Sequence, residues 1–287
     1  MAQTAFASKP TRYGLPYQGS KSKIAEWVIG VLPRSHTLVD LFAGGCAVTH
    51  AALLSGKWER IIANDITDTP RVFLDAAKGE YSNLATVLTR DEFAECDDTA
   101  LQLLYSFGNT RTAYLWAEDI EPVKVSAAKM ITAPSTHERR IAYRKFCREF
   151  LKYISGGGSA SMRLQNIERL DGLQSLEALE RLEALERLDY RRVEIPCGAT
   201  VYADPPYRDT DCSAYDGFDF DAFDAWLGGV DFPVFVSEYT APRGCIEIAT
   251  TKRVGTMAPH NKSDECERIF IQERFADAYE PDQRTLF

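Results

Sequence analysis

The stretch that most constrains the fold runs from residue 37 to residue 65. An apolar, β-branched run, TLVDLFA (37–43), meets a small-residue turn, GGC, and then a helical apolar pattern, AVTHAALLSG, that closes at Gly56. A second apolar run, RIIAND (60–65), follows at once. Strand, helix and strand in that order make a βαβ unit, and its right-handed crossover sets the two strands side by side and parallel. Five further runs bounded by Gly, Pro and Asn read as strands: DYRRVEI (189–195), TVYADP (200–205), PVFVSEY (233–239), ATTKRVGT (249–256) and ERIFIQ (267–272). The expectation is an α/β fold, a Rossmann-like, doubly wound sheet of seven strands.

Between Asp65 and Asp189 strand signals are few, so this block reads as a mainly helical insertion. The division expected is 1–66 with 189–287 for the sheet domain and 67–188 for the insert. Within the insert, HERRIAYRKFCREFLKYI (137–154) places Arg140, Arg144, Arg148 and Lys152 at four-residue spacing on one helix face, beside an apolar face of Tyr143, Phe146, Phe150 and Ile154. Six Arg or Lys against two Glu over 137–153 reverse the sign of a chain whose formal charge is −9. The bland alternative is a solvated helix face with Glu138 and Glu149 as partners. GGGS at 156–159 then reads as a hinge. In 164–188 a Leu or Ile stands at every third position, a period that circles an α-helix in roughly 18 residues and so makes no stripe. Short turns, a tighter helix, a stacked repeat or a low-complexity expansion all fit it.

Other classes can be set aside. No run approaches the length of apolar residues that a membrane helix needs, and the N-terminus lacks the apolar stretch of a secretory signal, which points to a cytoplasmic protein. Seven cysteines without a C-x-x-C pair and four histidines without ligand spacing suggest reduced thiols and no metal site. The net charge speaks against coating nucleic acid by charge alone but leaves room for a local basic groove.

Two constellations carry chemistry. Asp40 ends the first strand, and Gly44 and Gly45 open the following helix, where a ligand can approach the backbone over a helix N-terminus. Asp65 ends the second strand, where this kind of fold holds a carboxylate against ribose hydroxyls; the bland alternative is a helix cap. Together Asp40, Gly44 and Asp65 suggest an adenosine-containing cofactor. The second constellation is Asp204-Pro205-Pro206-Tyr207, at the carboxyl end of a central strand. Proline has no N–H, and an ionised aspartate only accepts, so this loop offers acceptors without competing donors. Such acceptors suit both hydrogens of a planar exocyclic amine, with Tyr207 placed to stack on the base.

DPPY, together with DLFAGGCAV upstream and PYQGSKSKI near the start, resembles the Dam-like, alpha-class N6-adenine DNA methyltransferases, over about residues 13–275. The tetrapeptide alone is shared with enzymes that methylate cytosine N4, RNA adenine and glutamine amide. The element order, Gly-Ser-Lys, glycine motif, long insert and then DPPY, is the alpha-class arrangement. FGNTRTAYLW (107–116) and VFVSEY look like segments of phage-type members. The resemblance implies S-adenosylmethionine as cofactor, double-stranded DNA as partner, base flipping, and an inserted target-recognition domain. It leaves open a restriction endonuclease in the same system. It implies that Tyr17 and Lys21 contact the cofactor, that Asp65 holds its ribose, and that Asp204, Pro205, Pro206 and Tyr207 form the amine-binding loop. Arg140, Arg144, Arg148 and Lys152 then become candidates for phosphate contacts, and Arg208 for the DNA or the orphaned base. Base readout stays unassigned, with Asn109, Arg111 and the hinge as candidates. Two departures stand out: Cys46 replaces the last glycine of the family's Phe-x-Gly-x-Gly, and Ser237-Glu238-Tyr239 replaces a different polar triplet. An N4-cytosine enzyme and a catalytically silent DNA-binding regulator are the competing readings.

Overall fold

The central apolar runs carry buried side chains on both sides of their strands, so the sheet must be covered on both faces. The computed structural model describes residues 12–80, 86–150, 173–174, 176, 179–185, 187–208, 217–252 and 266–279. Its strands are β1 (Thr37–Asp40), β2 (Arg60–Ala63), β3 (Leu182–Ala184), β4 (Thr200–Ala203), β5 (Val234–Glu238), β6 (Cys245–Lys252) and β7 (Cys266–Gln272). They form one sheet in the order β3-β2-β1-β4-β5-β7-β6. The first five run parallel, and β7 is antiparallel to both of its neighbours. This mixed sheet is the Rossmann-like α/β fold expected.

Leu38, Ile61, Tyr202, Phe235, Ile269 and Ile271 enter one core, beneath α1 (Ala25–Val31), α2 (Ala47–Ser55) and α3 (Thr69–Lys78). Their alternates Val39, Ile62, Val201, Val234 and Val236 enter the other, beneath α8 (Phe220–Gly229) and the segment around Tyr190. The first core extends without a break into the insert through Phe93 of α4 (Arg90–Ala94), Leu101 and Leu104 of α5 (Thr99–Tyr105), and Trp116. Lys57 is buried, and its ammonium donates to the carbonyls of Ile29 (2.8 Å) and Leu32 at the end of α1. It thereby satisfies helix-end acceptors that would otherwise be orphaned.

The third strand is not where the alternation of 189–195 puts it. The Asp189 carboxylate accepts the N–H of Arg191 at 2.9 Å and turns Tyr190–Arg192 into a 3₁₀ helix. The strand is Leu182–Ala184, inside the leucine repeat and parallel to β2. The three-residue period now has a physical explanation over its described part. Leu173, Leu176 and Leu182 enter the first core, while Leu185 and Leu188 pack against the second, so the leucines serve two faces rather than one helical stripe. The earlier part of the repeat, the 156–159 hinge, and positions 253–256 of the expected sixth strand lie outside the described residues. That strand begins at Cys245, four residues before the expected start.

The basic stretch does form a helix, α7 (Thr136–Phe150), packed on α6 (Glu121–Ile131). Ser135 Oγ accepts the N–H of Glu138, whose carboxylate accepts from Ser135 N and Oγ, a capping box. Of the expected apolar face, Phe146 is half-buried, while the Phe150 side chain and Ile154 lie outside the described residues. Tyr143 is 56% exposed and the neighbouring Ile141 54%. No helix among the described residues is long and apolar enough to cross a membrane.

Candidate active site

The sheet order reverses between β1 and β4, and the two acids that end or follow these strands, Asp40 and Asp204, stand at that switch point. This is where open α/β sheets bind ligands. Asp40 is 1% exposed. Its Oδ2 accepts from Thr49 Oγ1 at 2.8 Å, while Oδ1 is buried with no hydrogen bond. Burial raises its pKa to about 7, against the Thr49 hydrogen bond, with the charges of Asp204 and Asp65 adding to the rise. A buried carboxylate with one unused oxygen suits a ligand that brings a cationic donor.

Asp65, also buried, accepts the Gly44 N–H at 2.9 Å on Oδ2, and the Thr67 N–H (2.9 Å) and hydroxyl (2.8 Å) on Oδ1. Burial still leaves its pKa raised, although these bonds favour the charged form. The carboxylate thus ties the end of β2 to the glycine turn.

The glycines of that turn serve a protein contact. Tyr17 lies over the turn, so that a Cβ on Gly45 would stand 2.5 Å from Tyr17 Cβ, and one on Gly44 would stand 3.0 Å from Tyr17 Cε1. Leu15 N–H donates to the Gly45 carbonyl at 2.6 Å, and Gly14 N–H donates to His50 Nδ1 at 2.9 Å. The N-terminal segment is thereby fastened across the motif. Cys46 caps α2 in the left-handed region, with φ 59°, a conformation natural to glycine and strained for a side chain. Its thiol is fully buried, and burial holds its pKa well above the usual value, with the charges of Asp40 and Asp65 adding.

Directly after β4, the proline loop presents Asp204, whose side chain is 17% exposed. Lys21 Nζ lies 2.7 Å from Asp204 Oδ1, in an ion pair that leaves Oδ1 without a well-aligned hydrogen bond. The same ammonium stands 4.4 Å above the centre of the Tyr207 ring. Tyr239 meets Tyr207 edge-on, with centroids 4.6 Å apart. Burial pushes the Asp204 pKa up; Lys21 pulls it back, Glu267 pushes further, and the result is about 6. Burial opposes the charge on Lys21, but Asp204 and Glu267 outweigh it and hold its pKa above the ordinary lysine value.

Glu267 gave no signal of function in the sequence beyond being an acid in an apolar strand. It is 3% exposed, its Oε1 accepts from the Tyr207 hydroxyl, and it lies 3.4 Å from Lys21 Nζ. Glu238 is a second acid of this kind. Its carboxylate accepts the N–H of Arg208 at 2.8 Å and of Tyr239, and so anchors the far end of the proline loop to β5.

The expected DNA contacts divide. Arg140, Arg144 and Arg148 are exposed on α7, and Lys152 lies outside the described residues. Arg208 is engaged elsewhere: its guanidinium pairs with the buried Asp224 at 2.8 Å and lies over the Phe220 ring at 4.9 Å. Its charge is therefore already neutralised within the fold. Arg111, with φ 69°, bonds Gln102 (3.0 Å) and Thr99 (3.1 Å) and faces Asp68 at 3.7 Å. Asn109 donates to the Leu103 carbonyl at 2.7 Å. Both residues brace the insert.

No curated protein matches the chain. Residues 17–129, which span Tyr17, Lys21, the glycine motif, Asp65 and the insert as far as α6, match the family model of the D12 class N6 adenine-specific DNA methyltransferases. Members of such families generally take S-adenosylmethionine as methyl donor. With the seven-stranded Rossmann-like sheet, this match supports adenine N6 methylation of DNA as the reaction of this chain.

Proposed function

We propose that the Asp204–Tyr207 loop clamps the N6 amine of an adenine flipped out of double-stranded DNA. The observation that carries this reading is the place of the Lys21 ammonium: a nitrogen with hydrogens to donate sits on Asp204 Oδ1 and over the Tyr207 ring. An exocyclic amine needs the same two partners, an anionic acceptor and an aromatic face for its base. Asp204 takes one N6 hydrogen and the Pro205 carbonyl the other, which draws the nitrogen toward a tetrahedral, nucleophilic form. Tyr207 and Tyr239 wall the base. When bound, S-adenosylmethionine supplies the electrophilic methyl group. The chain's own part is positioning and charge placement.

The cofactor reading rests on donor chemistry. The unused Oδ1 of Asp40 fits the cationic α-amino group, and the end of β2 at Asp65 fits the ribose hydroxyls. Tyr17 packs on Gly44, whose N–H is held by Asp65, and Lys21 reaches Asp204 of the proline loop. In the same reading the helices of the insert serve target recognition. Arg140, Arg144 and Arg148 give phosphate contacts that set the duplex in register without reading its sequence. Arg208, already paired with Asp224, supports the loop instead.

The test is Asp204→Ala and Asp204→Asn in a transfer assay with labelled S-adenosylmethionine and DNA. Both variants are expected to lose methyl transfer while keeping cofactor binding. Wild-type transfer by Asp204→Ala would refute the clamp.

A further inference from the structure

Glu267 stands where the strand pattern calls for an apolar side chain. Along β7 it shares a face with Ile269 and Ile271, both buried in the core beneath α1. An acid in that row costs stability unless a partner holds it, and its partners are two residues of the site: the Tyr207 hydroxyl and the Lys21 ammonium at 3.4 Å. Neither contact is needed to close the sheet.

The clamp described above has an internal conflict. In the free protein Asp204 Oδ1 is held by Lys21 at 2.7 Å, so an amine that takes this oxygen displaces the ammonium. The Lys21 side chain is 11% exposed, and an ammonium left there without a counter-ion would carry a large desolvation penalty. Glu267 removes the conflict. A shift of roughly half an ångström would bring Lys21 Nζ from 3.4 Å to the ordinary length of a charge-assisted hydrogen bond with Glu267.

We infer that Glu267 is a positioning residue, the second counter-ion that receives Lys21 when the substrate amine takes Asp204, and that its bond to the Tyr207 hydroxyl keeps the stacking ring in place meanwhile. The inference rests on the reading of Asp204 as the amine acceptor. It also explains why one carboxylate oxygen serves both groups: ring and lysine are set by a single point on the rigid β7. Besides Lys21 and Tyr207, the ionisable groups acting on this cluster among the described residues include Asp204 after β4, Tyr202 on β4, Tyr239 after β5 and Asp40 at the end of β1. Because the Glu267 charge is one of the influences that raise the Asp204 pKa, removing it moves Asp204 ionisation to lower pH.

The experiment compares Glu267→Gln and Glu267→Asp with the wild type. Methyl transfer is followed against pH, and ¹³C NMR titration of the Asp204 carboxyl is followed in the free protein. The glutamine keeps an acceptor for Tyr207 and loses the charge. Its transfer rate is expected to fall roughly ten- to a hundred-fold, the size of a positioning defect, with cofactor binding retained. The Asp204 titration and the acid limb of the rate profile should both move to lower pH. The aspartate keeps the charge, so its acid limb stays in place and part of the rate returns. A Glu267→Gln protein that transfers at the wild-type rate, or one that is slow with the Asp204 titration unmoved, would overturn the inference. If Glu267→Gln does not fold, Glu267→Asp alone decides: a reduced rate with an unmoved limb supports the role, and a wild-type rate or a displaced limb overturns it. The titration needs no DNA, so it separates a failure of this inference from a failure of the transfer reaction.

Discussion

Asp40 offers a sharp separation of function from stability. It is fully buried, its pKa is about 7, and one of its oxygens has no hydrogen bond. An aspartate in the unfolded chain titrates near ~3.9, so folding raises this group by about three pH units. The sign follows from linkage. A raised carboxylate favours the folded state fully only below the unfolded pKa, and that contribution is lost as pH rises through the folded value. At pH 8 the charge therefore costs the free protein on the order of 4 kcal/mol, and at pH 5.5 about 2 kcal/mol. Asp40→Asn removes the charge and keeps an oxygen for the Thr49 hydroxyl. The variant is expected to gain stability over the wild type at pH 8, by about 2 kcal/mol more than at pH 5.5, which for a chain of this length is about 4–8 °C in melting temperature. It is also expected to bind S-adenosylmethionine more weakly, since the cationic donor loses its anion. Thermal unfolding of the free protein at the two pH values, with calorimetric titration of the cofactor, checks both halves. Equal destabilisation at both pH values would refute the account of Asp40 as a strained, ligand-ready acid.

Other outcomes follow from the same geometry. Arg144→Ala combined with Arg148→Ala should weaken DNA binding and lower the slope of log affinity against log salt by about 2, leaving cofactor binding unchanged; an unchanged slope returns α7 to a merely solvated face. Arg208→Ala should destabilise the fold by about 2–3 kcal/mol in urea unfolding, because it strands the buried Asp224 carboxylate; a neutral effect would release Arg208 for DNA. Alkylation of the native protein should modify the exposed Cys197 and spare Cys46, whose thiol is buried and kept protonated. Rapid labelling of Cys46 would show that the glycine turn opens in solution.

Much of this was legible in the sequence because it is local. The βαβ unit announces itself through small residues between two apolar runs, and the proline loop through residues that only accept hydrogen bonds. The third strand was hidden because Leu182–Ala184 sits in a repeat whose period belongs to no regular element, while 189–195 alternates like a strand until Asp189 captures its own backbone. On α7 the exposure of Tyr143 has a related reason: periodicity says which residues align, not whether another element covers them. Pairings across the chain were out of reach. Lys21 meets Asp204, and Tyr207 meets Glu267, only because the fold brings the N-terminal segment, the end of β4 and the start of the antiparallel β7 to one end of the sheet. The contact of Tyr17 with Gly44 and Gly45 is likewise a pairing between distant segments that no local pattern announces.

The central claim is transfer of a methyl group to adenine N6 in DNA through Asp204. Nucleoside analysis of DNA incubated with the protein and labelled S-adenosylmethionine tests it most directly. The account predicts label in N6-methyladenine with the wild type and background with Asp204→Ala. Label in N4-methylcytosine, or equal label with both proteins, would contradict it.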